Sequence, residues 1–275
     1  MKMNANTDRE PFRSGAHDYA AYLETPEGRL RSDLALANVR EFLRLPQSLQ
    51  SLRALDIGGG TGAIAVRLAQ LGVHVTLLDS SSTMLDLAKR AAREAGVAAK
   101  IVLKHGDAAQ AANLFCTGSF DVVLCHNVLE YVEDPGAVLR AAAQLMGDPS
   151  AILSVLVRNQ AGEVLKAAIQ TGDLAAAEHT LTAEWGREPL FGSRVRLFTA
   201  DSLRAMLKAA SLVVAAERGV RVIADYLPPK VSRTAEYEGI LELERKLGSR
   251  PEFAAVARYA HYLTRRAGPL MEDRT

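Results

Sequence analysis

Cysteine is nearly absent from this 275-residue chain: Cys116 and Cys125 are the only two. Two thiols nine positions apart cannot form a disulfide scaffold, so a cystine-stapled secreted fold is excluded and reduced thiols are expected. Net charge is also lacking, since 33 Lys+Arg stand against 32 Asp+Glu. That balance argues against a broad basic surface, so a nucleic-acid partner would need a local basic patch. No apolar run reaches the length of a membrane span, and the polar first residues lack a signal-peptide core. A soluble, cytoplasmic protein with no membrane partner is the expectation. Aromatics are scarce at 5%, yet hydrophobic residues reach 48%, enough for a sizeable core and too many for a disordered chain. No repeat and no low-complexity tract interrupts it, and no metal site is expected.

Apolar runs at 53–57, 74–79, 100–105, 120–125 and 151–157 alternate with helical stretches at 63–71, 82–96 and 136–146. Strands separated by crossover helices form parallel sheets. Further on, 164–174 reads as helix within an irregular Gly-containing stretch. A helix capped by Thr199, a strand at 212–217, a helix at 236–247 and a last strand at 258–264 follow. The expected fold is an α/β, Rossmann-like, seven-stranded, mostly parallel sheet with helices on both faces and a substrate cap. Residues 1–45 form an N-terminal helical segment after a loose polar lead, and 46–157 the nucleotide-binding core. Residues 158–198 form a cap insertion, and 199–275 the end of the sheet with an inserted helical stretch at 230–253.

The strongest local signal is Asp56-Ile-Gly58-Gly59-Gly60-Thr-Gly62-Ala63 between the first strand and the first crossover helix. Glycines there allow a tight turn and close approach of the backbone to a ligand, and helix amides favour an anionic or polar group. Glycine spacing alone does not choose the ligand, because Gly58-x-Gly60-x-x-Ala63 also satisfies the loose dinucleotide fingerprint. Asp79, with Ser80 after it, ends the second strand where a carboxylate grips ribose hydroxyls. Asp107 follows the third strand.

This set resembles the class I S-adenosylmethionine-dependent methyltransferases. Three longer stretches narrow the resemblance: Phe120 to Pro135 with His126-Asn-Val-Leu-Glu130-Tyr131, Gly219-Val-Arg221-Val-Ile-Ala-Asp225-Tyr226-Leu227, and Arg258-Tyr259-Ala-His261. With Glu27-Gly28-Arg29-Leu30-Arg31 they look like the tRNA 5-carboxymethoxyuridine methyltransferase family, which methylates the carboxylate on a modified wobble uridine. The resemblance runs from about residue 19 to 266. It implies S-adenosyl-L-methionine as cofactor, with Arg31 on the methionyl carboxylate and Asp56 with Gly58, Gly59 and Gly60 around the methionine part. Asp79 falls at the ribose, Asp107 and Ala108 at the adenine and His126 beside the cofactor, with Ser80 also among the cofactor-binding residues. It also implies tRNA as partner.

A carboxylate acceptor ionises far below neutrality and needs no general base. None is assigned, because neither His126 nor His105 has an orienting carboxylate in view, and His17, His179 and His261 show no partner. An anionic acceptor should instead meet cations. Residues 187–221 hold seven basic side chains against three acidic ones, Glu188, Asp201 and Glu217. Arg158, Arg194, Arg196, Arg221 and Tyr226 are the candidates for positioning the acceptor. Three other readings stand beside this one: methylation of a small-molecule metabolite on oxygen or nitrogen, a cofactor-binding regulatory protein without turnover, and a nicotinamide-dependent oxidoreductase.

Overall fold

The computed structural model describes residues 15–43, 52–188, 190, 192–231 and 233–267. Residues 1–14 of the expected polar lead at 1–16 lie outside the described residues, as do 44–51 at the junction of the first two expected segments and 268–275 at the end of the last. Helix α1 (Ala16–Glu24) runs into α2 (Pro26–Phe42). Pro26 at the first turn of α2 and the Thr25 side chain, which accepts from the Gly28 amide at 3.2 Å, start that helix. Gly28 must be glycine for the join: a Cβ there would stand 2.1 Å from the Tyr22 carbonyl oxygen.

The core then alternates as the sequence predicts: β1 (Arg53–Ile57), α3 (Ala63–Gln70), β2 (His74–Asp79), α4 (Ser82–Glu94), β3 (Ile101–His105), α5 (Ala111–Leu114), β4 (Val122–His126), α6 (Pro135–Leu145) and β5 (Ile152–Arg158). Alternate residues of these strands face opposite sides. Leu55, Ile57, Val123, Cys125, Leu153 and Val155 pack under Val138, Leu139 and Ala142 of α6. Ala54, Val75, Leu77, Val122 and Leu124 pack under α2, α3 and α4 through Val39, Leu68 and Ala88. On α4 the buried Met84, Leu87, Ala88 and Ala92 repeat at helical spacing, which aims one stripe inward.

The chain next builds α7 (Gln160–Leu165), a π turn at Lys166–Gln170, α8 (Leu174–Thr180), β6 (Trp185–Glu188) and β7 (Ser193–Arg196). The expected continuous helix at 164–174 is broken, because Gly172 takes φ +67° and Asp173 starts α8 by accepting from the Ala176 amide at 2.9 Å. Strands β6 and β7 form their own antiparallel hairpin, where the sequence suggested irregular chain. Helix α9 (Ala200–Ala209), β8 (Leu212–Val220), α10 (Tyr237–Gly248), α11 (Pro251–Ala254) and β9 (Tyr259–Arg266) complete the fold.

The main sheet has seven strands in the order β3-β2-β1-β4-β5-β9-β8. Strand β9 lies antiparallel to both β5 and β8, while the bonded pairs among β1 to β5 are all parallel. From β1 the order runs outward through β2 and β3, and from β4 the other way. That reversal opens a crevice at the carboxyl ends of β1 and β4, where ligands bind in open α/β sheets. Among the described residues no helix is long and apolar enough to cross a membrane.

Candidate functional site

A cavity of about 300 Å³ occupies this crevice. Its floor is the loop after β1. Gly58 and Gly60 adopt φ of +65° and +55° there, and a Cβ at Gly58 would come within 2.4 Å of Val128 Cγ2. The position of a Cβ on Gly60 meets only Tyr19 and Met84, at 3.9 and 4.0 Å, so this glycine borders open space. The Asp79 carboxylate clamps the loop: Gly60 N–H donates to Oδ2 at 2.9 Å and Ser81 N–H to Oδ1 at 2.8 Å. Burial raises the Asp79 pKa in spite of those amides. Asp56 lies beneath the loop, and burial, then the nearby charge of Asp79, push it up to about 7.

Arg31, Asp56, Gly58, Gly59, Gly60, Asp79 and His126 all line this one cavity, as do Arg158 and Arg221. Six of the expected residues are placed elsewhere. Ser80 offers its carbonyl to His105 Nε2 at 2.9 Å. Asp107 caps the short 3-10 turn Ala108–Gln110 by accepting from the Ala109 amide at 2.9 Å, and Ala108 packs against the core. Arg194 and Arg196 each stack on Trp185 at 4.6 Å, and Tyr226 donates to the Gly162 carbonyl at 3.4 Å. None of these six lines the cavity.

His126 is neutral, because burial and then the charge of Arg31 lower its pKa to about 3. Its Nε2 is 2.7 Å from Ser154 Oγ, which is 2.7 Å from His261 Nε2; His261 Nδ1 is 3.1 Å from Asn38 Nδ2. His261 therefore has two polar partners, contrary to the sequence expectation, and this buried row props the cavity wall. A histidine so reluctant to take a proton is a poor general base.

One wall is dense in charge. Arg31, Arg158, Arg221 and Arg258 are only 7, 6, 7 and 5% exposed, so each must be compensated. Three of them form a chain of ion pairs running Glu188, Arg158, Glu163, Arg258, Asp225, Arg221. Arg158 meets Glu163 at 2.9 Å, and Arg221 donates to the Tyr22 hydroxyl at 2.8 Å. Arg221 holds this place on a left-handed backbone, φ +61°, and its Nε is buried with no hydrogen-bond partner among the described residues. Arg31 differs from the other three. Among the described residues no carboxylate is paired with it; it donates to Tyr19 Oη at 2.8 Å and faces the rings of Tyr19, Tyr22 and Tyr259 at 5.3–5.6 Å. Tyr259 sits at the centre. Burial alone would raise its pKa, but Arg31, Arg158, Arg221 and Arg258 together bring it down to about 7.

Sequence reasoning missed Arg258, Glu163 and the base-like character of Tyr259. Each depends on partners far along the chain, and only the Arg258-Tyr259 stretch carried a signal.

The site suits an adenosyl sulfonium: a glycine floor, an acid at the end of β2 and an arginine free to take a carboxylate. Residues 55–149 match the family model described as Methyltransferase domain. The fold likewise resembles 1,6-didemethyltoxoflavin-N1-methyltransferase from Burkholderia thailandensis, solved with S-adenosylhomocysteine (TM-score 0.61, 16% identity, covering 98% of this chain and 93% of that one). Magnesium protoporphyrin IX methyltransferase from Synechocystis PCC 6803, also with S-adenosylhomocysteine, gives TM-score 0.60 at 17% identity over 94% and 97%. Fold and site define a class I S-adenosylmethionine-dependent methyltransferase.

Sequence relatives narrow this class. The tRNA 5-carboxymethoxyuridine methyltransferase of Escherichia coli (strain K12) is 31% identical over 249 residues, 88% of this chain and 90% of that protein. The chain belongs to that family. A ubiquinone biosynthesis O-methyltransferase from Methylococcus capsulatus is 33% identical over 137 residues, 50% of this chain and 55% of the relative.

Proposed function

We propose that the protein methylates the carboxylate of 5-carboxymethoxyuridine at the tRNA wobble position. The observation that carries this reading is the arginine wall: Arg31, Arg158, Arg221 and Arg258 all line the cavity that the glycine loop floors. A buried carboxylate acceptor needs cations and hydrogen-bond donors, and this wall provides both. S-adenosylmethionine, when bound, supplies a methyl group already activated on a sulfonium. The chain then has to hold, orient and exclude water. Arg31 takes the methionyl carboxylate and Asp79 the ribose hydroxyls, while Arg221 and Arg158 face the acceptor. No base is required for an acceptor that is already an anion.

The β6–β7 hairpin supports tRNA as partner. Register places Trp185, Arg187, Arg194 and Arg196 on one face of the ribbon and Gly186, Glu188, Ser193 and Val195 on the other. Val195 is buried and Glu188 lines the cavity, so the first face points outward with three arginines around a half-exposed tryptophan. Arginine with an aromatic platform suits phosphates and unstacked bases.

A small phenol is the second reading, because Tyr259 lines the cavity and its pKa, lowered to about 7, leaves a share of phenolate at neutral pH that can accept a proton. It accords with the ubiquinone-pathway relative. The test offers both acceptors to the purified protein with S-adenosylmethionine. The leading reading expects a base-labile methyl ester on the wobble nucleoside by mass spectrometry. Transfer to phenols alone would replace it.

A further inference from the structure

We propose that Glu188 is a built-in competitor for the acceptor's carboxylate: it occupies the Arg158 guanidinium, and the arriving carboxylate takes its place. This rests on the carboxylate-acceptor reading and adds the group that selects the acceptor. Three acids serve the arginine wall, and they are not held alike. Glu163 bridges Arg158 and Arg258, and Asp225 bridges Arg221 and Arg258. Glu188 pairs with Arg158 alone among the described residues, and its other oxygen accepts only the Leu190 amide, at 3.2 Å. It is the acid with the least to lose by leaving.

Its place in the fold agrees. Arg158 ends β5, deep in the main sheet, and its own amide donates to Glu130 Oε1 at 2.8 Å, so the arginine is fixed. Glu188 ends β6, in a two-stranded hairpin outside that sheet. An isolated pair of strands is held weakly by its own bonds and yields more easily than the sheet. The pairing within the chain agrees with this exchange. Arg158, Arg221 and Arg258 match Glu163, Glu188 and Asp225 one for one. A further carboxylate on Arg158 would give that one guanidinium three acids unless one withdraws.

The exchange makes the seat selective. A carboxylate acceptor swaps one Arg158 ion pair for another. A neutral acceptor that displaced Glu188 would leave the buried Arg158 only the Glu163 carboxylate it shares with Arg258, which is unfavourable. Glu188 is thus a specificity-determining residue that acts through Arg158.

The test titrates protein saturated with S-adenosylhomocysteine with 5-carboxymethoxyuridine nucleoside and its neutral twin, 5-methoxyuridine. Glu188→Gln keeps shape and removes the competing charge. It should tighten the carboxylate nucleoside about tenfold, leave the neutral one unmoved, and lower the acceptor KM without moving the S-adenosylmethionine KM. Equal or weaker carboxylate binding overturns the proposal and makes Glu188 a structural strut. If Glu188→Gln does not fold, Glu188→Asp, with its shorter reach to Arg158, decides by the same criteria at a smaller gain. Failure of wild-type protein to methylate carboxymethoxyuridine tRNA is a separate result and sinks the wobble-uridine reading alone. Benzoate then probes the Arg158 seat, where tighter binding by the variant supports the exchange and equal or weaker binding refutes it.

Discussion

Replacing Arg31 by Met removes the guanidinium of the cavity wall that has no carboxylate paired with it among the described residues. The side chain is 7% exposed, donates to Tyr19 Oη at 2.8 Å and lies over three tyrosine rings. Met keeps most of the volume and can pack against the same rings. The fold therefore loses one hydrogen bond and part of a cation–π contact, about 1–2 kcal/mol. Ligand loss is larger and selective. A charge-assisted bond to a carboxylate contributes about 1.5–3 kcal/mol, so S-adenosylhomocysteine should bind ten- to a hundredfold more weakly. Calorimetry with 5′-methylthioadenosine, which has the same nucleoside but no amino-acid carboxylate, is the control, and its affinity should stay within about threefold. Equal loss for both ligands would mean that Arg31 only maintains the tyrosine cage. No loss for either would place the methionyl carboxylate somewhere else in the cavity.

Asp79→Ala should weaken S-adenosylhomocysteine on the order of a hundredfold by calorimetry, since it removes the ribose acceptor and the clamp on Gly60 together. Asp56 holds its proton more tightly in the fold, at about 7, than an ordinary carboxyl does at 3.8. Its ionisation therefore costs stability: the penalty is absent below pH ~4, grows as pH rises towards ~7 and is complete above that. Asp56→Asn should remove that loss, gaining on the order of 2–4 kcal/mol at pH ~8 and nothing at pH ~4 in ligand-free urea unfolding. An unchanged difference between the two pH values would show that Asp56 ionises freely. Arg194→Ala with Arg196→Ala should weaken tRNA binding and reduce the slope of log K against log salt by about one to two. An unaltered slope would take the hairpin out of the RNA interface.

What was legible in the sequence was local. The strands of the core announce themselves as apolar runs, and the loop from Asp56 to Gly62 announces itself as a glycine cluster, three of its glycines taking positive φ. The acceptor wall is the opposite case, because its ion pairs join residues 158, 163, 188, 221, 225 and 258 from segments adjacent only after the sheet forms. Arg194 and Arg196 drew attention through a local excess of charge, but strand alternation turns them outward onto Trp185. The same alternation turns Glu188 inward, where the sequence had only counted it against the basic excess. Arg158 and Arg221, singled out from the sequence as acceptor-positioning candidates, line the cavity, while the acids that neutralise them carried no such signal. The near-zero net charge of the chain reappears in this wall as paired opposite charges.

Mass spectrometry of wobble nucleosides, comparing cells that have the gene with cells that lack it, tests the proposed function most directly. The account predicts that the methyl ester of 5-carboxymethoxyuridine disappears and the free acid accumulates in its place. An unchanged methyl-ester level would contradict it.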